Sequence, residues 1–494
     1  AFMLRSRSMM QTAAHPRLSR EFVAEVLNSK IRSREESPPS EVFRYVTSDS
    51  RKVTPGCLFV ALPGETFDGH DFIATALAQG ATGVICREGT PIPPSVSPAL
   101  AVYPVKDTLS AYRELAGAWR RKFEIPVIGV AGSVGKTTTK EMLSAILSGK
   151  FTKVLKTTGS QNGFVGIPMT LLELRPEHDA AVIEIGIDEI GAMIQHLELV
   201  SPTASVVTTI GPEHLEHLRD LPTVANEEGI ALTYVAANGG SVAANMNDPW
   251  MRPLLPKLPK KALISFALQS DPGSAAIKPE LLGELNEDRS ELRCRGRGID
   301  AAFPLPLPGK HNAVNLLAAI AISTSLGLNA REILEGLKTF RGADGRSELR
   351  QLPGPTPVLC DYYNANPTST EAALDLLTEL SKPKRRTRWA CLADMLELGP
   401  EEARFHRELA TKLLDLKVEH VLLYGPLMRA LDSELRKRGF GSEHFSTLSE
   451  LARALKEGAR PGDAILIKGS RSMKMEAVWK ELEPHANAHW KSEP

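Results

Sequence analysis

The chain has 494 residues, and at about 100 to 200 residues per domain that length implies roughly three domains rather than one core. Its 59 Lys plus Arg balance 59 Asp plus Glu, so it lacks the broad basic field that nucleic acid or an anionic membrane surface requires, and neither is expected as a partner. With 42% hydrophobic and 24% charged residues, the composition is that of a folded chain, not a disordered one.

The N-terminal stretch AFMLRSRSMMQTAAHP has no continuous apolar segment ahead of a small-residue cleavage site, so it reads as a frayed lead-in and not as a signal peptide. A small first domain is expected over 1–106, ending after the Pro-rich, turn-forming PIPPSVSP at 91–98. A second is expected over 107–340. It opens with a helical pattern (Leu109, Tyr112, Leu115, Trp119), and then short apolar strands alternate with helices: IPVIGVAG at 125–132, AAVIEIG at 180–186 and ASVVTTIG at 204–211. That alternation predicts a parallel sheet with crossover helices. Further on, ALISFAL and ELRCRGRGIDAAF look antiparallel, and a long helix begins near His311. A third domain over 341–494 again alternates strand and helix, from PVLCDYY to DAILIKGS. The longest apolar run, Ala313–Ile322, is too short to span a bilayer, and the five scattered cysteines form no Cys-x-x-Cys pair, so reduced thiols and a cytoplasmic location are expected.

The strongest chemical feature is GVAGSVGKTTTKEML, Gly129 to Leu143, placed where a strand ends and a helix begins. Gly132 and Gly135, around Ser133, let backbone N–H groups close on phosphate oxygens. Lys136 adds a mobile positive charge, Thr137 offers a hydroxyl to Mg²⁺, and Thr138 continues the helix start. The loop is expected to bind a nucleoside triphosphate. The usual spacing puts the first glycine at 130, where this chain has Val130, with Gly129 one place early.

That shifted glycine resembles the Gly-x-x-Gly-x-x-Gly-Lys-Thr pattern of the Mur ligase family. DYYNANPTSTEAALDLL at 361–377 and LADMLELG at 392–399 resemble two signatures of the branch that joins D-Ala-D-Ala to UDP-MurNAc-tripeptide. Similar segments recur in the family's order: 48–73, GIPMTLLEL at 166–174, PGKHNAVNLLAAIA at 308–321, GRSE at 345–348 and GDAILIKGSRSMKMEAV at 462–478. The resemblance implies an α/β chain of three domains: a small N-terminal UDP-sugar-binding domain, a central P-loop ATPase domain with a parallel sheet, and a C-terminal Rossmann-like domain. It also implies an ADP-forming amide ligase of peptidoglycan synthesis, using ATP and Mg²⁺ and giving UDP-MurNAc-pentapeptide through an acyl phosphate; a monomer is expected, while the oligomeric state stays open. A third-residue-adding ligase, a folylpolyglutamate synthase-like enzyme or a non-catalytic nucleotide-binding protein are the rival readings. Whether the third peptide residue is diaminopimelate or lysine stays open.

Thr137 and Glu184 are hard oxygen ligands of the kind Mg²⁺ prefers. The resemblance adds His214 at a second metal site, with Lys136 and Arg346 among the catalytic residues. Many relatives carry a carbamylated lysine just beyond; here no lysine occurs between Ser201 and Met251, and Glu228, or Glu227 if the alignment slips by one, is expected to stand in for it. SQNGFVG at 160–166 keeps one asparagine of a common pair, Asn162, which either orients substrate or supports a turn. The family pattern carries adenine and ribose contacts to Asn312, Asn315 and Asp361, the alternative being that Asn312 is simply a helix-start residue, since Asn is a favoured cap. The UDP moiety falls to Ser50, Arg51, Asp68, Gly69 and His70. Asn364 and Asn366 are expected to hold D-Ala-D-Ala or to shape the loop, and Lys468 and Arg471 to contact an anion or close the site.

Overall fold

A computed structural model describes residues 18–29, 42–64, 66–93, 100–269, 278–382 and 385–483. The lead-in at 1–16 and most of the Pro-rich segment at 91–98 lie outside the described residues. Among the described residues the chain forms three sheets, of four, nine and six strands, divided between two compact units.

The first unit comprises Ala1–Ile125, Phe164–Asp179 and Glu198–Ser201. Its sheet runs Val46–Thr47, Leu58–Val60, Gly83–Arg87, Ala101–Val105, every pair parallel. The helix Thr108–Arg120 packs in this unit. Asp107 caps its start by accepting from Ser110 N at 2.6 Å, and the i, i+3, i+7 spacing of Tyr112, Leu115 and Trp119 buries one face. Trp119 meets Phe22 edge-on at 5.9 Å and donates its indole N–H to Leu174 O at 3.2 Å, tying in the later segment.

The second unit holds the other two sheets. In the nine-stranded sheet Val127–Ala131 lies between Ala204–Val207 and Ala180–Glu184, parallel to both. Both faces are covered, which is why these strands read as unbroken apolar runs. The expected antiparallel character of ALISFAL is corrected here: Leu263–Leu268 pairs parallel with Ser241–Asn245 and with Leu281–Asn286. It is buried along nearly its whole length like an interior parallel strand, and only Glu291–Gly296 and Ile299–Pro304, which alternate inward and outward, close the sheet antiparallel. The helix Lys310–Thr324 is apolar on most sides because it packs between the helix Lys136–Leu147 and the sheet.

The six-stranded sheet runs Glu348–Leu352, Thr356–Asp361, Ala464–Lys468, Arg388–Ala393, His420–Tyr424, Glu443–Phe445, parallel except at its first pair. Inserting the last strand between two earlier ones places Asp361, Lys468 and the loop after Ala393 side by side at the carboxyl ends, where α/β sheets collect ligands. No helix among the described residues is long and apolar enough to cross a membrane, and the five cysteines are buried thiols.

Candidate active site

The strand Val127–Ala131 ends at Gly132 (φ 116°), and a tight turn through Gly135 (φ 91°) starts the helix Lys136–Leu147. Glycine is required by space as well as by φ. A Cβ on Gly132 would lie 2.3 Å from Thr208 Oγ1, and one on Gly135 would lie 2.3 Å from Asn315 Oδ1. No side chain caps this helix, so its first N–H groups stay available to an anion.

Lys136 Nζ folds back onto Gly132 O at 2.5 Å and Glu213 Oε2 at 3.2 Å. Burial works against its charge, but Glu213, Glu228 and Glu184 outweigh burial and hold its pKa above the ordinary lysine value. Glu228, wholly buried on the helix Leu221–Ala237, accepts from Gly132 N at 2.6 Å. Burial pushes its carboxyl up to about 8; Lys136 and the Gly132 N–H oppose that rise and Glu213 adds to it. The neighbouring Glu227 points elsewhere, accepting from Gly191 N at 3.0 Å, because one helical residue turns the side chain by about 100°.

Glu184, at the end of the strand Ala180–Glu184, accepts through Oε1 from Thr137 Oγ1 at 3.0 Å and Asn162 Nδ2 at 2.8 Å. Its Oε2 is buried with no hydrogen bond, 3.6 Å from Lys140 Nζ. Lys140 is itself wholly buried, donating to Thr157 O at 2.8 Å and Gly159 O at 2.5 Å and so pinning the loop that carries Ser160 and Asn162. Ser160 Oγ lies 2.9 Å from Thr137 Oγ1 and accepts from Arg346 Nη2 at 2.9 Å, while the Arg346 guanidinium stacks 4.2 Å over Tyr363.

Asn312 is not the helix cap. Gly309 occupies that position, and Asn312 Nδ2 donates to Pro308 O at 2.8 Å while its Oδ1 accepts from Asn315 at 3.3 Å. Asp361 bonds Lys468 Nζ at 2.5 Å and Ser347 N at 2.9 Å; burial raises its pKa, but the ammonium and these bonds bring it below the usual carboxylate range. Asn366 does act as a cap, accepting from Ser369 N at 2.8 Å to start the helix Pro367–Ser381, and Asn364 Oδ1 accepts from Ala365 N at 2.9 Å. His214 Nδ1 sits 2.7 Å from Glu397 Oε2.

These groups surround one cavity of about 540 Å³. Ser133, Gly135 through Thr138, Asn162, Glu184, His214, Asn312 and Asn315 line it from the nine-stranded lobe, and Arg346, Asp361, Asn364, Asn366, Lys468 and Arg471 from the six-stranded one. Gly132 and Glu228 form the layer behind it. Sequence reasoning missed Lys140, Ser160, Glu213, Tyr363 and Glu397. Lys140, Ser160, Tyr363 and Glu397 lie inside the segments 129–143, 160–166, 361–377 and 392–399, and Glu213 stands beside His214, but nothing local marks which of a segment's polar side chains turns toward the site.

Among the described residues no three His, Cys, Asp or Glu side chains converge as a closed metal centre. The Thr137 hydroxyl and the unsatisfied, buried Glu184 carboxylate oxygen nonetheless fit Mg²⁺, which dehydrates reluctantly and takes one or two protein oxygens plus phosphate and water.

In the first unit Ser50 and Arg51 lie in the turn Ser50–Lys52 after one strand, and Asp68 to His70 in the loop after its parallel neighbour, so both segments follow carboxyl ends of adjacent strands. Arg51 is bidentate to Asp49 at 2.8 and 2.9 Å. Asp68 accepts from His70 N and lies 2.5 Å from its Nδ1; these bonds, the backbone one first, lower its carboxyl to about 2. His70 Nε2 accepts from Arg87 N at 3.0 Å. A Cβ on Gly69 would come 2.6 Å from Leu62 O, so the loop needs glycine there.

Residues 42–120 match the Mur ligase family catalytic domain, 130–323 the Mur ligase middle domain, and 345–471 the Mur ligase glutamate ligase domain. The chain is 33% identical over 449 residues to UDP-N-acetylmuramoyl-tripeptide--D-alanyl-D-alanine ligase of Bacillus subtilis, covering 89% of this chain and 93% of the relative. It is 35% identical over 451 residues to the protein of the same name from Escherichia coli, covering 89% and 93%. A crystal structure of MurF from Acinetobacter baumannii superposes with a TM-score of 0.82 at 26% identity, covering 95% of this chain and 99% of that one. With all three domains matched in order and relatives above 30% identity along nearly their full length, the chain belongs to the Mur ligase family.

Proposed function

We propose that the chain is an ATP-dependent ligase that joins D-Ala-D-Ala to UDP-MurNAc-tripeptide, giving the pentapeptide precursor of peptidoglycan. The observation that carries the chemistry is one cavity holding the glycine loop with Lys136 and Thr137, a buried carboxylate with an unsatisfied oxygen at Glu184, and Arg346 from the other lobe. The curated relatives named for this activity support the choice of substrates.

A carboxylate is a poor electrophile, so amide formation in water needs its conversion to an acyl phosphate. A tripeptide carboxylate oxygen attacks the γ-phosphorus, and the bond to ADP breaks. The dipeptide amine then attacks the acyl carbon, its nitrogen gives up a proton, and phosphate leaves. Two anions must first be brought together, and preorganised cations offset that repulsion and stabilise the transferring phosphoryl group. Lys136 leaves Glu213 and Gly132 O to meet the phosphates, and Arg346, held flat on Tyr363, approaches from the opposite wall. Mg²⁺, when bound through Thr137 and Glu184, supplies further neutralisation of phosphate charge. His214 faces the same space, Asn162 holds Glu184 in place, and Asn312, Asn315 and Asp361 form the nucleoside end. Glu228, not Glu227, supplies the fixed carboxyl group where many relatives carry a carbamylated lysine. Ser50, Arg51 and Asp68 to His70 receive the UDP moiety, and Asn364 with Asn366 shapes the dipeptide end.

The test is phosphate release from ATP with Mg²⁺, offering tripeptides ending in diaminopimelate or lysine, each with and without D-Ala-D-Ala. Release that needs both substrates, with a pentapeptide of the expected mass, is the outcome this reading requires. ATP hydrolysis indifferent to them would leave a nucleotide-binding protein of another kind.

A further inference from the structure

His214 and Glu397 share a feature that ordinary residues avoid. Both are non-glycine residues in the left-handed region, at φ 47° and φ 65°, a conformation that costs free energy and persists where the surroundings enforce it. They come from different sheets. His214 follows the strand Ala204–Val207 of the nine-stranded sheet, and Glu397 follows Arg388–Ala393 of the six-stranded one. Their loops meet backbone to backbone beside the pair: a Cβ on Gly399 would lie 3.3 Å from Glu216 N and 3.4 Å from Leu215 C and O. The contact made across this seam is the Glu397 carboxylate on His214 Nδ1 at 2.7 Å, and both side chains border the cavity.

A carboxylate on one ring nitrogen settles two things for an imidazole: that nitrogen carries the proton, and the ring plane is held so that the other nitrogen faces away from the carboxylate. Here the other nitrogen is Nε2. We propose that Glu397 is a positioning residue of the C-terminal lobe that orients His214 Nε2 toward the reacting phosphate and its cation, so that His214 is competent only while the two lobes of the second unit are in contact. The strained backbone at both positions is the structural cost of aiming two side chains at one another across the seam. The neighbouring Glu213 is engaged with Lys136 at 3.2 Å, so the hydrogen-bonded carboxylate on the His214 ring is that of Glu397. The side chain of Glu397 is 58% exposed, so its replacement leaves the core untouched.

The kinetic arm of the test rests on the ligase reading; the spectroscopic arm does not. In the full chain labelled with ¹⁵N-histidine, with His214 assigned by its loss in His214→Gln, the ring is expected to show the Nδ1–H tautomer, and Glu397→Ala to shift it toward Nε2–H. In turnover, Glu397→Ala is expected to lower kcat about 10- to 100-fold and to weaken Mn²⁺ binding in the presence of ADP by about the same factor, with KM for ATP within about threefold. Glu397→Gln, which keeps an acceptor, should recover most of that loss. An unchanged tautomer in Glu397→Ala, an unchanged kcat, or a Gln variant no better than Ala would overturn the proposal. Failure of the wild-type chain to ligate would overturn the ligase reading and leave the tautomer to decide on the pair.

Discussion

The glycine-loop end of the second unit and the loops at 50–51 and 68–70 of the first are both expected to bind phosphate-bearing substrates, yet they hold their polar groups differently. Around the glycine loop, Ser133 Oγ, Glu184 Oε2, Glu213 Oε1 and Glu228 Oε1 are buried without a hydrogen bond, and three carboxylates crowd one lysine. In the first unit Asp68, His70 and Arg87 satisfy one another, and Arg51 is paired to Asp49. A buried polar group without a partner is costly, so the first arrangement is one that a polyanion and its cation complete. The second is a self-contained turn that offers a ready surface and changes little on binding.

The largest expected effect that separates the two regions is at Lys136. Lys136→Met should cut the rate of phosphate release by about 10²- to 10³-fold at saturating substrates, because a fixed positive donor is lost where charge develops. No residue at 50–51 or 68–70 should approach that figure.

Glu228 sharpens the contrast next. Glu228→Gln should lower turnover by about 10- to 100-fold and shift its Mg²⁺ dependence, whereas Glu227→Gln, whose carboxylate holds only Gly191 N, should stay within about threefold. Glu228→Lys offers a stricter check. If Glu228 occupies the carbamate position, that variant regains activity with added bicarbonate and loses it when carbon dioxide is stripped, while the parent chain ignores both.

Two pH effects on stability follow from burial. Burial pushes the folded Glu228 carboxyl up to about 8, against the ordinary 4.5 of a solvated glutamate in the unfolded chain, so the folded state binds the extra proton between these limits. Stability therefore falls as pH rises from about 4.5 to 8, by up to about 1.4 kcal/mol per pH unit from this group, and denaturant titrations of Glu228→Gln should lack that slope. His311, whose ring burial lowers to about 4, acts in the opposite sense: it stays neutral in the fold, so stability falls as pH drops from 6.5 toward 4. His311→Gln should flatten that acid limb.

The smallest effects are expected in the first unit. Asp68→Asn loosens a partly exposed turn, lowering Tm by a few degrees at most and raising KM for the nucleotide sugar without changing kcat. Arg51→Ala should leave the melting curve unchanged and alter only that KM. A kcat loss in either variant, at saturating substrate, would erase the distinction between the two regions.

The strand-turn-helix around Lys136 was legible because glycine spacing and the change of hydrophobic period are local signals. Glu184 was legible as the one charged residue ending an otherwise apolar strand. Asn366 and Asn312 show the limit of such reading: the same residue type at two helix starts caps one helix and leaves the other to Gly309. The antiparallel expectation for ALISFAL failed because a short apolar run does not report which neighbours it pairs with.

What the sequence by itself determined is therefore the set of elements, the strand-to-helix glycine loop proposed to take phosphate, and, through long motifs in a family's order, the class of chemistry. Tertiary structure decided which carboxylate faces the glycine loop, since Glu227 and Glu228 differ only by a rotation about the helix axis that packing alone selects. It also decided that Lys140 lies against Glu184, that Ser160 meets Arg346, and that Glu397 reaches His214. The last two join residues more than 180 positions apart, drawn from different sheets. No local pattern encodes such pairs, because backbone propensity and hydrophobic period act over a few residues, while a charge's partner is set by how whole layers pack.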